Sequence, residues 1–155
     1  MEYKELMDAF AQDVGMSEPI AYEEENICHL DINDRDFGFL YVAEAERLVV
    51  WTMIAPRPPD GGEALLVQLL RANFMNRGVP DGALSLSDDD EIFAHCTFKM
   101  PVYDKAEFYS LLKRFVEETN EWRTMVDLAG QAKDLMPKIR PEAPAQQTGE
   151  MRFDV

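Results

Sequence analysis

The chain has 155 residues, which suits one domain that buries about 70% of its unfolded surface. Thirty acidic residues against fifteen basic ones give a net charge of −15 and a pI near 4.4. This charge argues against binding to nucleic acid or anionic membrane and favours basic partners. The N-terminus has acidic residues where a signal peptide needs bases, and it has no continuous apolar segment. The longest apolar run, LVVWTMIA, is too short to span a bilayer, so we expect a cytoplasmic protein.

The first half of the chain predicts one helix and three strands. Apolar residues recur at three- and four-residue spacings from Glu2 to Val14, and Gly15 follows as a cap, so this segment is predicted to be an amphipathic helix. The segments ICHLDI, FGFLYV and RLVVWTMI then read as a meander of strands rich in β-branched and aromatic residues. The proline-rich loop APRPPDGG ends the meander.

The second half predicts a helix, two strands and a long helix. EALLVQLLRANFMNRG begins after a capping pattern of Asp60 and Glu63 and ends at Gly78. GALSLS and EIFAHCTFKM precede a helix from Asp104 to Gly130. The fold class is therefore α+β, in the order α-β-β-β-α-β-β-α, with a twisted antiparallel sheet flanked by helices. The domain spans residues 1–136, and the aperiodic, proline-rich segment 137–155 is predicted to be a flexible tail.

Four consecutive acidic residues, Asp88 to Glu91, lie between the last two predicted strands. A hairpin turn favours Ser and Asp, whose side chains bond neighbouring amides. A calcium loop needs Gly at its sixth position and a distant bidentate Glu, and neither DDDEIFAHCTFK nor DINDRDFGFLYV supplies both. We therefore predict that these acids form a turn.

Two Cys-His pairs, at Cys28–His29 and His95–Cys96, formally supply the ligands of a zinc site. Adjacent strand residues point to opposite faces, so each pair sends only one ligand to either side of the sheet. We predict no metal and no other cofactor, and we interpret both cysteines as buried core residues. No catalytic motif such as GxSxG or HExxH occurs, and no pair of carboxylates stands out among the thirty acids, so we assign no catalytic residue and no enzymatic activity.

The chain has more apolar residues than a small core needs. The strand RLVVWTMI is apolar on both faces, with Leu48, Val50 and Ile54 on one side and Val49, Trp51 and Met53 on the other. Either the long helix of the domain or a partner covers the second face. The middle helix is apolar around most of its circumference, which indicates burial on two sides. For this helix we predict a partner subunit and hence a homodimer.

The order of elements, together with ENICHLDI, FGFLYV, LLVQLLRANF, GALSLSDDDEIFAHCTFKMP and LLKRFVEETNEWRTMV, resembles the class I type III secretion chaperones of the Tir-chaperone family. The resemblance spans Lys4 to Leu128, while the proline-rich loop and the tail depart from the family. It implies a cytoplasmic bacterial homodimer without catalytic activity. Such a chaperone keeps the N-terminal chaperone-binding segment of one or more secreted effectors extended, soluble and secretion-competent. The ATPase of the secretion apparatus is a further candidate partner.

The resemblance also implies two sets of binding residues. The effector-binding set is Leu6, Met7, Phe10, Phe37, Phe39, Tyr41 and Trp51. The dimer-interface set is Leu66, Leu69, Leu70, Phe74, Leu84 and Leu86. In this mode the effector segment, called the client below, lays apolar side chains into surface patches and adds a strand to a sheet edge.

Two other functions stay open on sequence grounds. A cystatin-like small-molecule-binding protein would enclose a pocket with convergent polar groups, for which His29, His95 and Tyr41 are the candidates. A regulatory interaction module outside secretion would have the same fold, and the sequence alone does not separate it from a chaperone.

Overall fold

The computed structural model describes residues 1–59, 62–79 and 81–131, which form three α-helices, two short 3₁₀ helices and six strands. The helices are α1 (Tyr3–Asp13), α2 (Gly62–Asn73) and α3 (Lys105–Gln131). The strands are β1 (Tyr22–Glu24), β2 (Ile27–Asp31), β3 (Asp36–Val42), β4 (Arg47–Pro56), β5 (Gly82–Leu86) and β6 (Glu91–Lys99). The predicted tail at 137–155 and the predicted cap Asp60 lie outside the described residues.

All six strands pair antiparallel in one open sheet, in the order β1-β2-β3-β4-β6-β5. The predicted α+β class and order of elements are confirmed, with one correction. The strand β1 was not predicted, because its three residues, Tyr22, Glu23 and Glu24, are too few and too polar to produce an alternating pattern. α2 also ends earlier than predicted, because Met75 adopts a left-handed backbone conformation with φ of 56°.

Helices α1 and α3 pack on the same side of the sheet, called the inner face below. Tyr3 of α1 donates from its hydroxyl to the backbone oxygen of Phe39. On α3, Phe115 lies edge-on to Phe37 with ring centroids 6.2 Å apart. The ring centroids of Phe108 and the inner-face residue Phe98 are 4.9 Å apart. Inner-face side chains of the central strands are buried, so one side of the sheet supplies most of the hydrophobic core.

A buried arginine fastens α3 to the middle of β4. Arg123 donates from Nη2 to Thr52 Oγ1 and to the backbone oxygen of Met53, both at 2.8 Å. The second of these bonds lies where a bulge between Met53 and Ala55 interrupts the pairing of β4 with β6. Burial lowers the pKa of the Arg123 guanidinium below its ordinary value. Arg123 therefore fixes the position of α3 over the inner face.

The outer edge of β5 is closed by the last residue of α2. Asn73 donates from Nδ2 to the backbone oxygen of Leu84, and its Oδ1 accepts from the Leu84 amide, both at 2.8 Å. The side-chain amide thus makes the two hydrogen bonds that a neighbouring strand would make. An added strand at Leu84 would have to displace Asn73, so this part of the edge is protected from pairing with another chain.

The acidic segment between β5 and β6 forms a tight turn, as predicted. The Ser87 amide donates to the backbone oxygen of Glu91, and the Glu91 amide donates to Ser87 Oγ. Asp90 adopts a left-handed conformation with φ of 61°. Arg57 donates to both carboxylate oxygens of Asp90, at 3.1 and 2.7 Å, and this pairing holds the pKa of Asp90 below its usual value. The turn is therefore tied to the loop that follows β4.

Replacing Asp90 with asparagine is expected to lower the free energy of unfolding at neutral pH, because Asn tolerates the turn but has no negative charge to form an ion pair with Arg57. Since the folded-state pKa of Asp90 is depressed, its contribution is present above the ordinary Asp pKa and is lost as the pH falls through the folded-state value. Urea unfolding should show a difference from wild type that disappears in acid. A difference unchanged in acid would contradict this, and Asp89→Asn serves as the matched control.

Candidate binding surfaces

The second side of the sheet, called the outer face below, is not covered by any helix among the described residues. Pairing across the strands aligns Ile27, Leu40 and Val49 in one row, while Trp51 and Met53 follow along β4. These side chains are half-buried or exposed, and Met53 is 42% exposed. Packing of α1 and α3 on the inner face leaves this apolar stripe open to a partner.

Trp51 lies flat across β3, in the space above Gly38. A Cβ atom added to Gly38 would lie 2.1, 2.2 and 2.6 Å from three consecutive atoms of the six-membered indole ring. Similar distances to three ring atoms place that position over the ring face, because an approach to the ring edge would bring one atom much closer than its neighbours. One face of the indole therefore rests on the strand and the other faces away from the sheet.

Carboxylates surround the β2 side of this tryptophan. His29 packs edge-on to Trp51 with ring centroids 5.5 Å apart. Its Nδ1 lies 2.9 Å from Asp36 Oδ2, and its Nε2 lies 3.9 Å from Glu23 Oε1. Asp31 pairs directly opposite Asp36 on the same face, and like charges in this position repel. This end of the outer face is thus aromatic and strongly negative.

A second exposed apolar surface, called the α2 patch below, follows α2 and the turn after it. Its members are Val67, Leu70, Phe74, Met75 and, on β5, Leu86. Their exposures are 46% for Val67, 71% for Leu70, 62% for Phe74, 76% for Met75 and 40% for Leu86. Leu65 and Leu69, on the opposite side of α2, are buried in the core. The helix therefore has one apolar face for its own domain and a second that is free.

The predicted effector-binding residues separate into two groups. Leu6, Met7, Phe37 and Phe39 are fully buried and Phe10 is 9% exposed, so these five are core residues, which corrects their assignment to a surface. A buried side chain cannot contact a client unless the fold opens. Trp51 lies on the outer face, and Tyr41 is half-buried and stacks on the ring of Tyr3.

The predicted dimer residues separate in the same way. Leu70, Phe74 and Leu86 are exposed and Leu66 is half-buried, whereas Leu69 and Leu84 are 4% and 5% exposed and belong to the core. Two members of the α2 patch were missed. Val67 could have been found, because it lies one helical turn before Leu70. Met75 could not, because its place depends on the left-handed backbone that ends the helix.

The two cysteines and two histidines divide between the faces as strand alternation predicts. Cys28 and Cys96 share an inner-face row and are buried, and burial raises the pKa of both thiols. His29 and His95 share an outer-face row, separated by β3 and β4, or about 14 Å at ordinary strand spacing. Tyr41 faces the other side. The three polar groups proposed for a small-molecule pocket therefore do not converge.

An open sheet face and an open helix face are the features of a protein that contacts other polypeptides. None of the helices within the described ranges is long and apolar enough to cross a membrane. A model of the Tir chaperone protein (CesT) family matches residues 5–123, so the chain belongs to this family. The predicted identity as a type III secretion chaperone is confirmed.

Solved structures share the fold at low sequence identity. The HopA1–SchA chaperone–effector complex matches with a TM-score of 0.63 at 18% identity, covering 79% of this chain and 93% of that one. The ExsC–ExsE complex matches at 0.67 and 17%, covering 81% and 97%. The Yersinia pestis type III secretion chaperone SycH, bound to a fragment of YscM2, matches at 0.61 and 20%, covering 77% and 98%. No curated protein sequence matches the chain significantly.

Proposed function

We propose that the protein acts in the bacterial cytoplasm as a homodimeric, non-enzymatic chaperone for the N-terminal region of one or more secreted effectors. It holds the client extended and soluble and delivers it to the secretion apparatus, whose ATPase is the candidate receiver. The observation that carries this proposal is the uncovered apolar outer face in a chain of the Tir chaperone family.

The outer face suits an extended client. Its half-buried rows run across β2, β3 and β4, so a segment without structure of its own can lay apolar side chains on several strands at once. The net charge of −15 keeps the empty protein soluble despite this exposed stripe. Trp51 is the predicted effector-binding residue that we retain on this face, and Val49, Leu40 and Met53 join it. Tyr41 lies on the inner side of the sheet, stacked on Tyr3, and is not part of this surface.

The α2 patch is the proposed dimer interface. Leu70 and Phe74 project from successive turns, and Val67 and Met75 extend the same surface at either end. Aromatic, Met and aliphatic side chains in one continuous patch are typical of the core of a protein–protein interface. Using α2 for the partner subunit leaves the outer face of each sheet free for the client.

The proposal is tested with a pair of methionines that have almost the same exposure. Met53 is 42% exposed on the outer face and Met125 is 43% exposed on α3. The effector is first captured by the tagged protein from its native bacterium and identified, and its N-terminal region is then purified for calorimetry. We expect Met53→Asp to weaken binding about 10-fold or more, because it places a charge in an apolar contact. Met125→Asp should bind as wild type does.

The heat-capacity change on binding should be clearly negative, because an extended client buries apolar surface as it becomes ordered. Equal binding by wild type and Met53→Asp would exclude the outer face as the client site. Binding that survives removal of the effector's N-terminal region would contradict the proposed function itself.

A further inference from the structure

The chain places a glycine where its tryptophan needs space. Gly38 lies in the middle of β3, where glycine weakens a strand, and it does not have the positive φ that would require glycine. What it supplies is room, since any side chain would collide with the Trp51 ring at about 2 Å. The glycine at position 38 therefore allows the indole of Trp51 to lie flat, with one ring face turned away from the sheet.

Within the described part of the chain, the carboxylates beside this ring have His29 as a neighbour but no lysine or arginine partner. Glu23, Asp31 and Asp36 lie around His29, and no Lys or Arg side chain of the described residues forms an ion pair with any of the three. Asp31 and Asp36 oppose each other directly across β2 and β3, an arrangement that a nearby cation would relieve.

We propose that Trp51, with Asp36, Asp31 and Glu23, forms a recognition site for an arginine side chain of the client. This inference deepens the proposed function and rests on it. A guanidinium is planar and weakly hydrated, so it stacks on an indole face while its N–H groups bond carboxylates at its rim. The repulsion between the two aspartates, which weakens the empty protein, is relieved when the arginine binds.

The neighbouring rows add a requirement for the client sequence. Ile27, Leu40 and Val49 form an apolar row two residues along the strands from the row of Gly38 and Trp51. On an extended chain, side chains two residues apart point to the same side, and their separation is close to the distance between these two rows. A client segment that puts arginine on Trp51 therefore places an apolar residue two positions away on this row.

The test uses short synthetic peptides with the pattern Leu-x-Arg-x-Leu and matched peptides in which citrulline replaces arginine. Citrulline keeps the shape but loses the charge. The indole N–H signals of the intact protein are followed by NMR, and Trp51→Leu identifies the Trp51 signal. We expect the arginine peptide to shift this signal and to bind about 10-fold more tightly than the citrulline peptide, with the difference reduced by salt.

Asp36→Asn should remove most of this preference, whereas Asp88→Asn, which changes the net charge equally in the β5–β6 turn, should retain it. Equal binding of the two peptides would overturn the arginine site while leaving an apolar client surface intact. Arginine-peptide binding that persists unchanged in Trp51→Leu would show general attraction to an acidic protein and would also overturn it. If the captured effector binds the outer face normally and the arginine peptide shifts nothing at millimolar concentration, the site is wrong although the chaperone function stands.

Discussion

Replacing Leu70 with aspartate is expected to convert the proposed dimer to a monomer that keeps its fold. Leu70 is 71% exposed on α2, so the single chain loses almost no core packing. In the proposed dimer the same position lies in the centre of the α2 patch, where an unpaired charge loses its hydration. We expect the dissociation constant to rise about 30-fold or more, which corresponds to about 2 kcal/mol.

Light scattering measures this result directly, because the wild type should have twice the chain mass of 17.8 kDa. Val14→Asp is the matched control, since Val14 is 56% exposed at the end of α1 and lies outside the α2 patch. A wild-type protein that stays monomeric at micromolar concentration would refute the dimer. A Leu70→Asp variant that remains dimeric would locate the interface elsewhere.

Replacing Phe39 with alanine is expected to reduce the free energy of unfolding by about 3–5 kcal/mol. Phe39 is fully buried on the inner face of β3, so its removal leaves a cavity in the hydrophobic core. A domain of this kind is stable by only about 5–15 kcal/mol in total. The variant should therefore lose a large part of its stability, and urea unfolding measures the loss.

Phe93→Ala is the matched control for this experiment, because Phe93 is an aromatic residue of the same sheet that is half-buried on the outer face. Its replacement should cost less stability and should weaken client binding more. If Phe39→Ala instead stays stable and fails to bind the client, Phe39 belongs to the binding site as the sequence first suggested.

The two faces of the sheet differ in burial and in the elements that cover them. The inner face holds α1 and α3 and provides the core, and Arg123 ties α3 to β4. No helix among the described residues packs on the outer face, so its apolar rows stay half-buried or exposed. Since Asn73 closes the β5 edge at Leu84, an added client strand would have to pair elsewhere.

Periodicity and turn residues alone predicted the order of the three helices and of five of the six strands, the turn at Asp88 to Asp90 and the two faces of each predicted strand. Periodicity is a local property, so Leu48 and Val50 could be separated from Val49 and Trp51 without knowledge of the fold. The burial of both cysteines followed from the same alternation.

The assignment of one apolar face to the core and the other to the surface depends on how the helices pack on the sheet. Both faces of β4 are apolar, and so are both sides of α2, so hydrophobicity could not distinguish Phe39 from Trp51 or Leu69 from Leu70. The distinction depends on which side α1 and α3 pack against, and that is set by contacts between residues far apart in the chain. The packing of the Trp51 ring over Gly38 also depends on long-range contacts, because these residues lie on two strands whose register only the folded sheet defines.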